Sequence, residues 1–187
     1  FVSGIAHLGN TLTGNFTLYA EKVDDDETVF TATGTRTVAS TNFNNTTASS
    51  LQWTSSRKDS GYMHDNASNE HLINIDSAGD YFVTINVPIG GNVQRSNITG
   101  RVLLDGGLVD GGIFQQGYIR NYDGHVDSSI HWSGVLHVVS DNQDLSVTVQ
   151  QEGRAGTITV DSEKATIFVQ ELPSTGVYVG EATQAGG

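Results

Sequence analysis

Apolar and polar positions alternate most regularly between Val126 and Val138. Val126, Ile130, Trp132, Leu136 and Val138 share one parity, while Asp127, Ser129, His131, Ser133 and His137 share the other. Successive side chains of a strand point to opposite faces, so this segment reads as a strand with one wall in a core and one in solvent. Leu145, Val147 and Val149 repeat the pattern after a short Asp/Asn turn. Tyr81, Val83, Ile85 and Val87 form a further inward row, with Pro88 expected to end it because proline cannot donate to a ladder. The same reading places strands at Val29–Val38, Leu51–Trp53, His71–Ile75, Ile98–Leu104, Ile113–Arg120, Thr157–Val160 and Ala165–Leu172, with Trp53 anchoring the core. Ser40–Ser50 and Arg57–Ala67 read as loops, and Asp105-Gly-Gly and Asp110-Gly-Gly as turns. The Gly pairs at 90–91, 106–107 and 111–112 read as hinges. No window sustains a 3.6-residue period, so almost no helix is expected. About ten short strands with turns every 8–12 residues predict an all-β, antiparallel sandwich or closed barrel.

The two ends of the chain resemble each other across the middle. Phe16-Thr-Leu-Tyr-Ala-Glu-Lys-Val23 matches Ala165-Thr-Ile-Phe-Val-Gln-Glu-Leu172, and Val29–Thr35 matches Val177–Thr183. Leu18 against Ile167 and Val29 against Val177 give offsets of 149 and 148 residues. Three divisions follow: residues 1–28 echo the end of a repeat, 29–172 form the main domain, and 173–187 echo the start of a next repeat. Phe16, Leu18, Tyr19, Val177, Tyr178 and Val179 become candidates for strand exchange between copies, since unpaired edges favour such pairing. The start at Phe1, without a basic leader region, leads to the expectation of a processed or partial chain.

Composition narrows the function classes. The chain has 187 residues, a formal net charge of −12, nine Lys and Arg, and no cysteine. Too few cations are present for a phosphate-binding patch, so nucleic acid is excluded as a partner, and an anionic membrane surface with it. Without cysteine there is neither a disulfide framework nor a thiolate metal site. No run approaches the roughly 20 apolar residues of a membrane helix, so no membrane insertion is expected.

Three motifs resemble one family. Ala78-Gly-Asp-Tyr-Phe-Val-Thr-Ile-Asn-Val87 is similar to the Gly-x-Tyr strand of the tumour necrosis factor and complement globular-head superfamily. Ser133-Gly-Val-Leu-His-Val-Val139, followed by Asp144-Leu-Ser-Val-Thr-Val149, resembles its next paired strands. Ala165–Leu172 resembles its closing strand. Gln143 stands where that family has a glycine, and no collagen repeat or coiled coil precedes the domain. The resemblance spans roughly residues 29–172 and implies a ten-stranded antiparallel jelly roll that associates as a compact homotrimer. It further implies a ligand, adhesin or fibre module rather than an enzyme, here with a bacterial or phage origin. Receptor-contacting residues vary within the family, so none is carried over.

Candidate chemistry is sparse. His125, His131 and His137 share a parity, but six residues of strand span about 20 Å, so they cannot hold one ion together. They read as exposed or interface histidines. Asp24–Asp26 lacks the alternation of a calcium loop. Asp127, Ser128, Ser129 and His131 are neighbours on a strand rather than converging groups, and no G-x-S-x-G elbow exists. Tyr118 and Tyr122 are candidates for a sugar platform or an interface, with Trp132 on the core parity. Five N-x-S/T sequons match the N-glycosylation pattern, but an Asn/Thr-rich chain yields several by chance, and a bacterial or viral origin would leave them bare. The expectation is a non-catalytic module, without metal or cofactor, at the cell exterior or on a virion surface. It would work by self-association, as a trimer or a strand-sharing filament. The alternative is a soluble domain binding carbohydrate or a receptor.

Overall fold

The computed structural model describes residues 28–34, 48–91, 95–120, 126–152, 158–160 and 165–173. These form strands β1 (Val29–Gly34), β2 (Ser49–Ser50), β3 (Trp53–Lys58), β4 (Tyr62–Met63), β5 (Ile73–Ile75), β6 (Gly79–Gly91), β7 (Ser96–Leu104), β8 (Gly107–Ile119), β9 (Asp127–Val138), β10 (Gln143–Glu152), β11 (Ile158–Val160) and β12 (Ala165–Glu171), with no helix among them. All pairings are antiparallel, in two sheets that make a jelly-roll sandwich. In the first sheet β6 pairs with β9 along one edge and with β12 and β11 along the other, and β1 and β3 continue beyond β12. The second runs β4-β5-β10-β7-β8, with β2 joining β10 beside β5.

The alternating rows close on each other as their parity requires. Tyr81, Val83, Ile85, Val87 and Ile89 of β6 face Val102 of β7 and Leu145, Val147 and Val149 of β10 across a core that also holds Trp53 and Phe30. Burying one such aliphatic side chain contributes about 1.5–3 kcal/mol, which is why one-sided alternation dictates the layers.

Several local expectations are corrected. Pro88 does not end its strand; it sits within β6, paired with Ser129. The amide of Gly91 donates to Val126 on the β9 side, and the carbonyl of Asp80 accepts from Leu172 on the other. Alternation then turns the nitrogen of Pro88 away from β9. On that side β12 stops at Asn86 and β11 starts at Ile89, so the missing N–H falls in a gap of the ladder. Gly90–Gly91 likewise belong to β6 rather than to a hinge.

Asp110-Gly-Gly is not a turn. It lies inside the continuous β8 as a bulge, where three extra residues separate the Arg101–Ile113 and Leu103–Leu108 pairs. The actual turn is Asp105-Gly106, with φ of 49° and 75°, the geometry of a two-residue hairpin turn. Ser49–Ser50, expected in a loop, form β2, and Arg57–Ala67, also expected as a loop, contains the end of β3 and all of β4. Gln143 also has a visible role. Its Oε1 accepts the amides of Val139 and Ser140 at 2.9 and 3.2 Å, and its Nε2 donates to Asp105 at 2.8 Å. One side chain thus ties the β9–β10 turn to the β7–β8 turn.

Candidate interaction surface

The strands β8 and β9 meet at one side of the sandwich, where, among the described residues, each is the edge of its sheet. No ladder joins them. The Tyr118 amide donates to Ser128 Oγ at 3.1 Å, and the Trp132 indole N–H donates to the Gly111 carbonyl at 2.9 Å. The second bond explains the bulge. Gly111 has φ of +64°, a conformation that favours glycine, and it aims its carbonyl at the indole. At Gly134 a Cβ would come 2.7 Å from Cζ2 of Trp132, so the ring lies along β9 over that glycine.

Exposed apolar side chains concentrate on this seam. Leu108 is 49% exposed, Ile113 52%, Tyr118 48% and Val139 68%. Among the described residues these are four of the five large hydrophobic side chains in that class; Met63 on β4 is the fifth. The first three pair with Leu103, Arg101 and Asn97, all on the outward parity of β7. They therefore share one face although their numbers do not share one parity. The bulge at 109–112 and the irregularity between Gly117 and Phe114 each shift the register, and the stripe stays outward. Beside it a groove of about 640 Å³ is lined by Leu108, Val109, Trp132, Leu136 and Val139.

The outward face of the first sheet carries a second apolar patch. Phe82, Val135 and Phe168 are half-buried on the parity opposite the core. Phe82 is opposite Val135 and Gln170, and Phe168 is opposite Thr84 and Thr31, so the two rings are diagonal neighbours. His131 and His137 lie on this same face, at positions opposite Asn86 and Asp80. His137 Nδ1 is 2.7 Å from Asp80 Oδ1 at an exposed position. The two histidines thus flank the patch and are not brought together. Tyr118 lies around the edge from them, on the other sheet.

Trp132 is buried and bonded, which removes it from any sugar platform. Tyr122, His125, Phe16, Leu18, Tyr19, Val177, Tyr178 and Val179 lie outside the described residues, as does Asp24–Asp26. No group of three or more His, Asp or Glu among the described residues is placed to hold a metal ion. No helix among them is long and apolar enough to cross a membrane. Sequence reading missed Leu108, Ile113 and Val139, whose signal depends on register, and Phe82 and Phe168, which occupy the polar parity of otherwise alternating strands.

The architecture is a jelly roll with a tumour-necrosis-factor-like fold. Crystal structures of murine APRIL at pH 8.0, 8.5 and 5.0 superpose on it with TM-scores of 0.54, 0.55 and 0.55. Each match has 10% identity and covers 79% of this chain and 100% of the other. No family model matches the sequence, and no curated protein does. The likeness is one of fold.

Proposed function

We propose that this protein is a non-catalytic module of the cell exterior or a virion surface, working through a closed homo-oligomer, a trimer. The observation that supports this is the presence on one chain of two unlike apolar patches: the Leu108–Ile113–Tyr118 stripe at the β8–β9 edge and the Phe82–Val135–Phe168 patch on the first sheet. Exposed apolar patches mark interaction sites. Two unlike patches on one chain make a head-to-tail contact, which closes into a ring when the rotation between copies allows it. The jelly-roll likeness favours a ring of three, as the sequence motifs imply, over an open filament. The formal charge of −12 per copy opposes association, so apolar burial has to carry the contact.

Sedimentation velocity on the wild-type chain, Ile113→Asp and Phe168→Asp tests this reading. The wild type should sediment as a trimer at micromolar concentration and both variants as folded monomers with unchanged far-ultraviolet circular dichroism. A monomeric wild type, or variants that remain assembled, would overturn it.

A further inference from the structure

We propose that the outer edge of β9 and the groove beside it receive the segment Val177–Thr183 of the same chain as an added antiparallel strand. The backbone of β9 sets the site. Gly91 donates its amide to the Val126 carbonyl, and Gly90 is opposite Asp127, so alternation turns the amides of Ile130, Trp132 and Leu136 toward β6. The amides and carbonyls of His131, Ser133 and Val135 then point the other way, where β8 forms no ladder with them. Among the described residues nothing hydrogen-bonds to that row. An unpaired row on a long strand is a template for one more strand. The groove of about 640 Å³ runs along it between Leu108 and Val109 of β8 and Trp132 and Leu136 of β9, so a strand laid there buries one of its faces.

The occupant follows from where β12 delivers the chain. The Leu172 amide donates to the Asp80 carbonyl, and Asp80 is opposite His137 near the end of β9. A strand added beyond β9 lies three strand spacings from β12, about 14 Å. The five steps from Leu172 to Val177, through Pro173, Ser174, Thr175 and Gly176, span up to about 17 Å. Both β12 and β9 run antiparallel to β6 and so toward this same end of the sandwich. A chain that turns back there comes down the edge of β9 in the antiparallel sense. Val177-Tyr-Val-Gly-Glu-Ala-Thr183 has the composition for it: two valines and a tyrosine, one charge, no proline, and a match to β1 of the same sheet. The short tether holds the segment at an effective concentration on the order of 1 mM. A second copy, which carries the same formal charge of −12, has no such advantage.

Amide-resolved hydrogen exchange on the full chain tests the assignment. His131, Ser133 and Val135 should exchange at least roughly tenfold more slowly than in a Tyr178→Pro, Val179→Pro double variant, because one of two consecutive prolines falls on a ladder-donating position in either register. Ile130, Trp132 and Leu136, bonded to β6, should keep their rates in both chains and so report an intact fold. The protection should persist in Ile113→Asp, so a failure of assembly and a failure of this contact are read separately. Fast exchange at His131, Ser133 and Val135 in the unaltered chain, or protection that survives the two prolines, would overturn the assignment. Protection lost with Ile113→Asp would overturn it too, by tracing the strand to a second copy.

Discussion

Gly100→Ala should destabilise the fold, although a strand interior ordinarily gains from the change. Gly costs about 0.5–1 kcal/mol relative to Ala in a regular strand, so open space at this position would make the substitution favourable. The space is not open. Gly100 pairs with Phe114 across β7 and β8, and a Cβ on it would overlap Cζ and Cε2 of the ring and stand 2.6 Å from Cε1. Ordinary carbon contacts are about 3.5–4.0 Å, so the ring would have to move by about 1 Å or more. Phe114 is nearly fully buried. Displacing it forfeits up to about 2–3 kcal/mol of burial, and retaining it strains the neighbours by a similar 1–3 kcal/mol. A net loss of about 2 kcal/mol follows. Phe114→Ala alone should cost about 3–5 kcal/mol. In that background the added methyl enters vacated space, so Gly100→Ala should change sign and stabilise by about 0.5–1 kcal/mol. Guanidinium denaturation followed by the fluorescence of the buried Trp53 and Trp132 measures all four corners of the cycle. Single costs that add to within about 0.5 kcal/mol would refute the close approach of ring and backbone.

Other consequences can be checked on the same footing. Gln143→Ala should cost about 1–3 kcal/mol in denaturant unfolding, since it leaves the Val139 and Ser140 amides without their acceptor. Trp132→Phe should cost about 1 kcal/mol by orphaning the Gly111 carbonyl, with protection from hydrogen exchange falling first around the bulge. Three carboxyls are held below the usual carboxylate range: Asp59 by the Arg57 guanidinium, Asp65 by the Ser68 hydroxyl and Asp105 by the Asp144 amide with help from Gln143. Groups depressed in the folded state contribute stability above their unfolded pKa of about 3.9 and lose it as pH falls through the folded values. The melting temperature should therefore hold from neutrality to about pH 5 and decline below about pH 4, and Asp105→Asn should make that decline shallower.

Much of the sandwich was legible because its inner rows obey strict alternation. Ile130, Trp132, Leu136 and Val138 face the core as their parity requires, as do Tyr81, Val83, Ile85 and Val87. What escaped depends on partners distant in sequence. Pro88 looked like a stop because its own chemistry forbids one hydrogen bond, and only the gap between β11 and β12 makes that bond unnecessary. Asp110-Gly-Gly carries the composition of a turn, but the Trp132 indole, more than twenty residues away, converts it into a bulge. The exposed stripe was hidden by the same register shifts, because Leu108, Ile113 and Tyr118 share a face only after extra residues are inserted between them.

Covalent capture addresses the head-to-tail contact most directly. The chain contains no cysteine, so a pair introduced as Ile113→Cys and Phe168→Cys is the whole thiol inventory. The two positions lie on outward faces of different sheets. A short bismaleimide added to the double variant should then produce linked dimers and trimers and nothing larger, while either single variant stops at the dimer. Chains that stay uncrosslinked, or a ladder running past three, would contradict a closed ring built on these two patches.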